Sequence, residues 1–207
     1  LGNYDLTAVT GVSATGNIGE ITVRPLTVTA TGINKVTDGT TTATVTLSDD
    51  RVAGDVFTSS YASASYADTT AALNKPVSVS GISISGTDAS NYTFNTTATT
   101  TADLYPATAT TFTVTGGAAQ TAGVANALTI NAYDTYGNLV SFGPNNYTGD
   151  KTITFSGASN SPLGDVPTVT DKSGTAVNFG TGTTVTFTNG VATAGGSMIL
   201  YKAATAN

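Results

Sequence analysis

The sequence predicts an all-β protein. It is read as tandem antiparallel β-sandwich domains, with an extension strand at the N-terminus and a C-terminal sandwich lacking its last strand. Three observations lead there. Apolar and polar residues alternate with period two along most of the chain, and no stretch holds an i, i+3, i+4, i+7 apolar pattern. Threonine makes up about a fifth of the residues, and 23 glycines punctuate the runs, which suits pleated strands joined by tight turns. A module repeats inside the chain, and each copy ends at a proline, Pro25 or Pro106. Many short alternating runs at this spacing form sandwiches or barrels.

The alternation is clearest in six runs: Leu26–Thr31, Ala43–Ser48, Val77–Ser85, Leu128–Tyr133, Thr152–Ser156 and Thr184–Thr188. Asp38-Gly39 supplies a turn that tolerates positive φ. Asn189-Gly190 is a strong two-residue hairpin signal. The repeat is defined by matching ends. Asn3-Tyr4-Asp5-Leu6 leads through a Thr/Ala-rich stretch to Pro25 and a new strand; Asn91-Tyr92-Thr93-Phe94 leads in the same way to Pro106. A proline fixes φ and cannot donate to a ladder, so it marks a boundary between modules. The expected division is a tail over 1–24, a β domain over 25–106 and an incomplete sandwich over 107–207.

Residues Lys35-Val36-Thr37-Asp38-Gly39-Thr40-Thr41, Val79–Gly86 and Asp88-Ala89-Ser90-Asn91-Tyr92 make the middle module resemble the YDG/MBG type of bacterial surface repeat. The resemblance covers about 1–106. It departs from the usual pattern at Thr37, where the family has tyrosine before Asp-Gly. The second half resembles a bacterial immunoglobulin-like adhesin repeat, through Gln120–Gly123, Asp134-Thr135-Tyr136-Gly137-Asn138 and Phe187-Thr188-Asn189-Gly190. These resemblances imply Ig-like sandwiches, found in tandem in large secreted adhesins. In the second family one more alternating strand follows the region of Met198–Tyr201.

Composition narrows function. Net charge is −6, and the seven basic residues are scattered, which argues against nucleic acid. Charged residues are 10%, and such a lysine-poor, threonine-rich surface points to an extracellular bacterial β-protein. No apolar run approaches the roughly 18 residues of a membrane-spanning helix, so no membrane insertion is expected. There is no cysteine and no histidine, which removes thiolate nucleophiles, the commonest general base and the commonest transition-metal ligand. Neither G-x-S-x-G nor S-x-x-K occurs, and the only glutamate is Glu20, so no enzyme and no cofactor are expected.

The acidic groups Asp49, Asp50, Asp55, Asp134, Asp165 and Asp171 lack calcium-loop spacing and read as turn residues. A Lys–Asn isopeptide has no recognisable motif to support it. Tyr61, Tyr66, Tyr133 and Tyr136 read as core or sheet-edge residues rather than a sugar platform. Asn91, Asn95 and Asn146 head N-x-[ST] sequons and are candidate glycosylation positions.

The ends carry the functional expectation. Leu6, Val9 and Val12 form one apolar set, and Ile21 and Val23 alternate around Thr22; these are the expected strand-donor residues. Met198, Ile199, Leu200 and Tyr201 are the expected acceptor edge of an unfinished sandwich. The partners expected are other copies of the chain, in a homopolymer built by strand exchange, with host or matrix glycans as further ligands. The alternatives are a rigid spacer of a large adhesin and a glycan-binding module.

Overall fold

The structure, a computed structural model, describes residues 22–202. Within that span the fold is all-β, and its regular elements are nineteen strands and one 3-10 turn. The expected all-β class is the observed one, while the expected N-terminal extension strand lies outside the described residues.

The first half holds β1 (Arg24–Leu26), β2 (Val28–Ile33), β3 (Lys35–Val36), β4 (Thr44–Asp49), β5 (Thr58–Ser60), β6 (Ser63–Tyr66), β7 (Ala72–Ser80), β8 (Ser83–Ser85), β9 (Tyr92–Phe94) and β10 (Thr97–Tyr105). Its main sheet has the order β3-β10-β7-β6, and the remaining strands form three two-stranded ribbons, β2-β4, β5-β8 and β1-β9. Alternation decides what faces inward. On β7, Lys75, Val77 and Val79 are buried while their neighbours are exposed. On β10, Ala102 and Leu104 are buried. With Leu26, Val28, Val45, Phe57, Tyr66, Ile82 and Tyr92 they form one continuous core. Each fully buried aliphatic side chain contributes about 1.5–3 kcal/mol.

Two pairings depart from a purely antiparallel expectation. β1 runs parallel to β9, and β3 runs parallel to β10. Alternation reports which face is buried, not strand direction, so the sequence could not distinguish them.

The second half holds β11 (Thr111–Thr115), β12 (Ala125–Ala127), β13 (Thr129–Tyr133), β14 (Gly149–Thr154), β15 (Thr168–Thr170), β16 (Ala176–Asn178), β17 (Gly182–Thr188), β18 (Val191–Ala194) and β19 (Ser197–Ile199). One sheet has the order β11-β13-β18-β17-β14 and the other β12-β19-β15-β16. Their fully buried cluster is Ile130, Val185 and Phe187, with Leu128, Tyr147, Ile153, Phe155 and Ala192 packed around it. Tyr147 meets Phe187 edge-on at 4.9 Å, and Phe112 joins both rings. The Asn189-Gly190 signal is a true hairpin. β17 and β18 pair antiparallel across it, and both turn residues have positive φ, 50° and 79°.

Candidate functional site

Two places carry more than core packing: the joint between the halves and a groove at the far end of the second. The joint is built on Asp134. This side chain is 2% exposed and gathers four donors. Its Oδ1 accepts from the backbone of Tyr136 (2.9 Å) and Asn138 (2.8 Å), and its Oδ2 accepts from the Asn138 amide (3.0 Å) and Ala107 N–H (2.9 Å). Burial raises the Asp134 pKa, but these donors, Asn138 foremost, outweigh it and hold the carboxyl below its ordinary value. The carboxylate thus fixes the turn after β13 to the segment leaving β10.

Asn138 carries the bond across the joint. Its Oδ1 accepts from Ala71 N–H at 2.9 Å, while its amide donates to Asp134. Rings close the remaining gaps. The Tyr136 ring lies over Gly39, where a Cβ would come within 2.5 Å of it, so the Asp-Gly turn needs glycine for space as well as for its φ of 79°. Tyr105 lies against Gly143 and meets Phe142 edge-on at 6.3 Å. Asn145 donates to the Pro106 carbonyl at 3.1 Å.

The groove lies between the two sheets of the second half, at the end away from the joint. β13 sets that direction. Its last residues lead to Asp134, and Leu128, just before its first, lines the groove. The volume is about 790 Å³. Leu128, Phe155, Phe179, Met198 and Leu200 line it, all half-buried where a filled sandwich would cover them, and Val114 is 50% exposed at its rim. β11 and β12 are each one edge strand of their sheets, with β14 and β16 the opposite edges. Every residue of β11 is exposed. Asn126 ties the far end of β11 to β12 by accepting from Gly117 N–H at 2.9 Å.

The expected site residues fall in different places. Leu6, Val9, Val12 and Ile21 lie outside the described residues. Val23 is 48% exposed and precedes β1. The expected open edge at Met198–Tyr201 needs correction. β19 pairs with β12 on one side and β15 on the other, Met198 standing opposite both Asn126 and Val169, so its backbone is not a free edge. Leu200 accepts from Gly123 N–H at 2.7 Å. The edge strands of the two sheets are β11 and β14 in one and β12 and β16 in the other. Met198 and Leu200 contribute side chains to the groove instead, while Ile199 and Tyr201 are half-buried beside them.

Of the sequon residues, Asn91 is exposed. Asn95 uses both atoms of its amide: it accepts from Val28 N–H and donates to the carbonyls of Val28 and Thr97. Asn146 donates to Asn189 Oδ1 at 2.8 Å. A glycan on either would displace those bonds.

Sequence reasoning did not single out Phe179 or the run Gly116–Ala119 as groove walls. A cluster of small residues after an exposed strand is the signal that could have found the run. The motif tyrosine Tyr92 is structural. Buried at 6% exposure, it accepts from Val52 N–H and donates to Asp55, and that Asp55 bond leads its raised pKa. In the loop it anchors, Arg51 stacks 3.8 Å over Phe57 and forks onto Asp49 at 2.7 Å for each bond. That guanidinium lowers Asp49 to about 2.

No curated protein and no solved structure matches the chain. A family model does match, that of the YDG domain, over residues 22–102, the stretch that holds most of the first core together with the Asp-Gly turn and Tyr92.

Proposed function

We propose that this chain is a non-enzymatic structural unit of an extracellular bacterial fibre, whose second sandwich is completed by a β-strand donated from an N-terminal segment like Leu1–Arg24. The open groove carries this reading. Five half-buried apolar side chains and two unpaired strand edges border one cleft, and an inserted strand would cover the side chains and satisfy the backbone. Ordering a free strand costs about 1–2 kcal/mol per residue, so side-chain burial and ladder bonds must act together. The immunoglobulin-like character of this half belongs to the same reading. It rests on the two-sheet architecture and on the turn from Asp134 to Asn138.

The test is negative-stain microscopy with sedimentation. The full chain is expected to form fibres, and the chain lacking residues 1–24 is expected to stay monomeric. A full chain that remains monomeric and folded at high concentration overturns the proposal.

A second reading is favoured by one observation. Ile21 and Val23 stand four and two residues before Pro25, as the buried Ala102 and Leu104 stand before Pro106. On that reading the tail closes another YDG-type module, and the chain is a rigid spacer of a large adhesin. A folded monomer in which Ile21→Asp is destabilised only when a further module precedes it would favour the spacer.

A further inference from the structure

We propose that the groove takes residues Leu6–Ala14 of a second copy, head to tail, so that assembly runs in one direction without closing. The inference rests on the strand-donation reading above and names the partner at that site.

The first argument is position. β2 and β10 run side by side toward the joint: Val28 is held by Asn95 at the far end, and Lys35 stands opposite Leu104 near the joint. Thr22 therefore lies at the pole remote from the joint, because β1 pairs with β9 just before Asn95. The groove lies at the opposite pole. Each half is spanned by a run of nine residues, Thr97–Tyr105 and Ala125–Tyr133, each about 30 Å long at strand rise. The eight steps from Ala14 to Thr22 reach only about 28 Å when fully extended. The same chain's groove is about 60 Å away, so its own Leu6–Ala14 falls short of it. A second copy stacked head to tail places its own N-terminal segment next to this groove. A heterologous contact of that kind repeats as a filament.

The second argument is shape. As an extended strand, the segment puts Leu6, Ala8, Thr10, Val12 and Ala14 on one face, with Thr7, Val9, Gly11 and Ser13 on the other. This differs from grouping Val9 with Leu6 and Val12, since period two separates them. The groove complements that face: Gly116, Gly117, Ala118, Ala119, Gly157 and Ala158 form small-residue walls that leave room for two large side chains. The third argument is charge. Among the described residues Lys202 is the one charged residue lining the groove, and Asp5 adjoins Leu6.

The chain has no cysteine, so engineered pairs report cleanly. One copy carries Leu6→Cys and another carries Ala119→Cys; they are mixed in the full chain and mildly oxidised. The expected result is a disulfide-linked dimer from the mixture, and at least a fivefold lower yield when Val9→Cys, on the opposite face, replaces Leu6→Cys. A single chain carrying both cysteines is expected to give a ladder of oligomers. An internal bond in a monomer instead would overturn the second-copy assignment. So would equal yields from Leu6→Cys and Val9→Cys. A synthetic peptide of residues 4–16 with cysteine at position 6 separates the two levels. If it couples to Ala119→Cys while whole copies do not, strand filling stands and the second-copy inference fails. If neither couples while circular dichroism shows the fold intact, both fail.

Discussion

The two halves of this molecule use the same alternating threonine and valine strands and reach different degrees of closure. In the first half, thirteen buried residues from Leu26 to Leu104 form one cluster. In the second, among the described residues, the corresponding cluster has three members, with Ala132, Val140 and Val169 buried outside it, and Leu128, Phe155 and Phe179 stop half-covered at the groove. Strand content alone therefore does not make a sandwich complete. What differs is whether the last interior layer has something to pack against.

Core truncation should expose that difference most strongly. Leu104→Ala and Phe187→Ala each remove a side chain with 0–1% exposure. Losses of about 2–5 and 3–5 kcal/mol are expected, respectively. The first half has many other buried residues to absorb such a loss. The second has Ile130 and Val185 at its centre, so Phe187→Ala is expected to leave it open to proteolysis at 25 °C while the first half stays resistant. Limited proteolysis with mass mapping would check this. Equal resistance of both halves in both variants would break the comparison.

The joint comes next in size. Asn138→Ala removes the acceptor for Ala71 N–H and one donor to a buried carboxylate, and leaving such groups unpartnered costs about 1–3 kcal/mol. Both halves are expected to lose stability in calorimetry, because the contact belongs to both. A loss confined to the second half would show that the joint does not couple them.

Acid should weaken both halves, through different carboxylates. Asp49 and Asp134 have lowered pKa values in the fold, so each contributes stability above the ordinary carboxylate value of 3.8 that is lost as pH falls through the folded value. For Asp49 the window runs from 3.8 down to about 2, and the contribution is at most about 2 kcal/mol. Asp134 titrates below 3.8 and holds the joint as well as its own turn. Acid titration followed by tyrosine fluorescence is expected to show both halves weakening below about pH 4. Asp49→Asn should flatten the response of the first half only.

What was legible in the sequence follows from what alternation encodes. Burial parity was readable, as with Val77 and Val79, and so were turns whose chemistry is local: Asp38-Gly39, Asp134–Asn138 and Asn189-Gly190. Strand partners were not readable, since β1 could join β9 in parallel only through contacts 68 residues apart. The acceptor site was half legible. Met198 and Leu200 do face the groove, but β19 is an interior strand, and edges such as β11 and β12 lie elsewhere. A strand's pairing on both sides depends on distant segments, and no periodicity in Ser197–Tyr201 reports it.

The smallest expected effect compares one ion pair from each half. Asp49 and Arg51 are joined by two parallel bonds, with the Asp49 side chain 4% exposed and the guanidinium stacked on Phe57. Asp150 and Lys172 form a single contact with side chains 44% and 48% exposed. Water and salt screen the second pair, and a flexible lysine gives up rotamer freedom to hold it. Lys172→Ala is expected to change stability by no more than about 0.5 kcal/mol and to lose even that in roughly 1 M salt. Arg51→Lys keeps the charge but loses the fork and the stacking, so its cost is expected to be larger and to persist in salt. Denaturant titrations of both variants at two salt concentrations decide the matter. If Lys172→Ala costs as much as Arg51→Lys at high salt, exposure is not what ranks these pairs, and the second half is tighter at its surface than its open core implies.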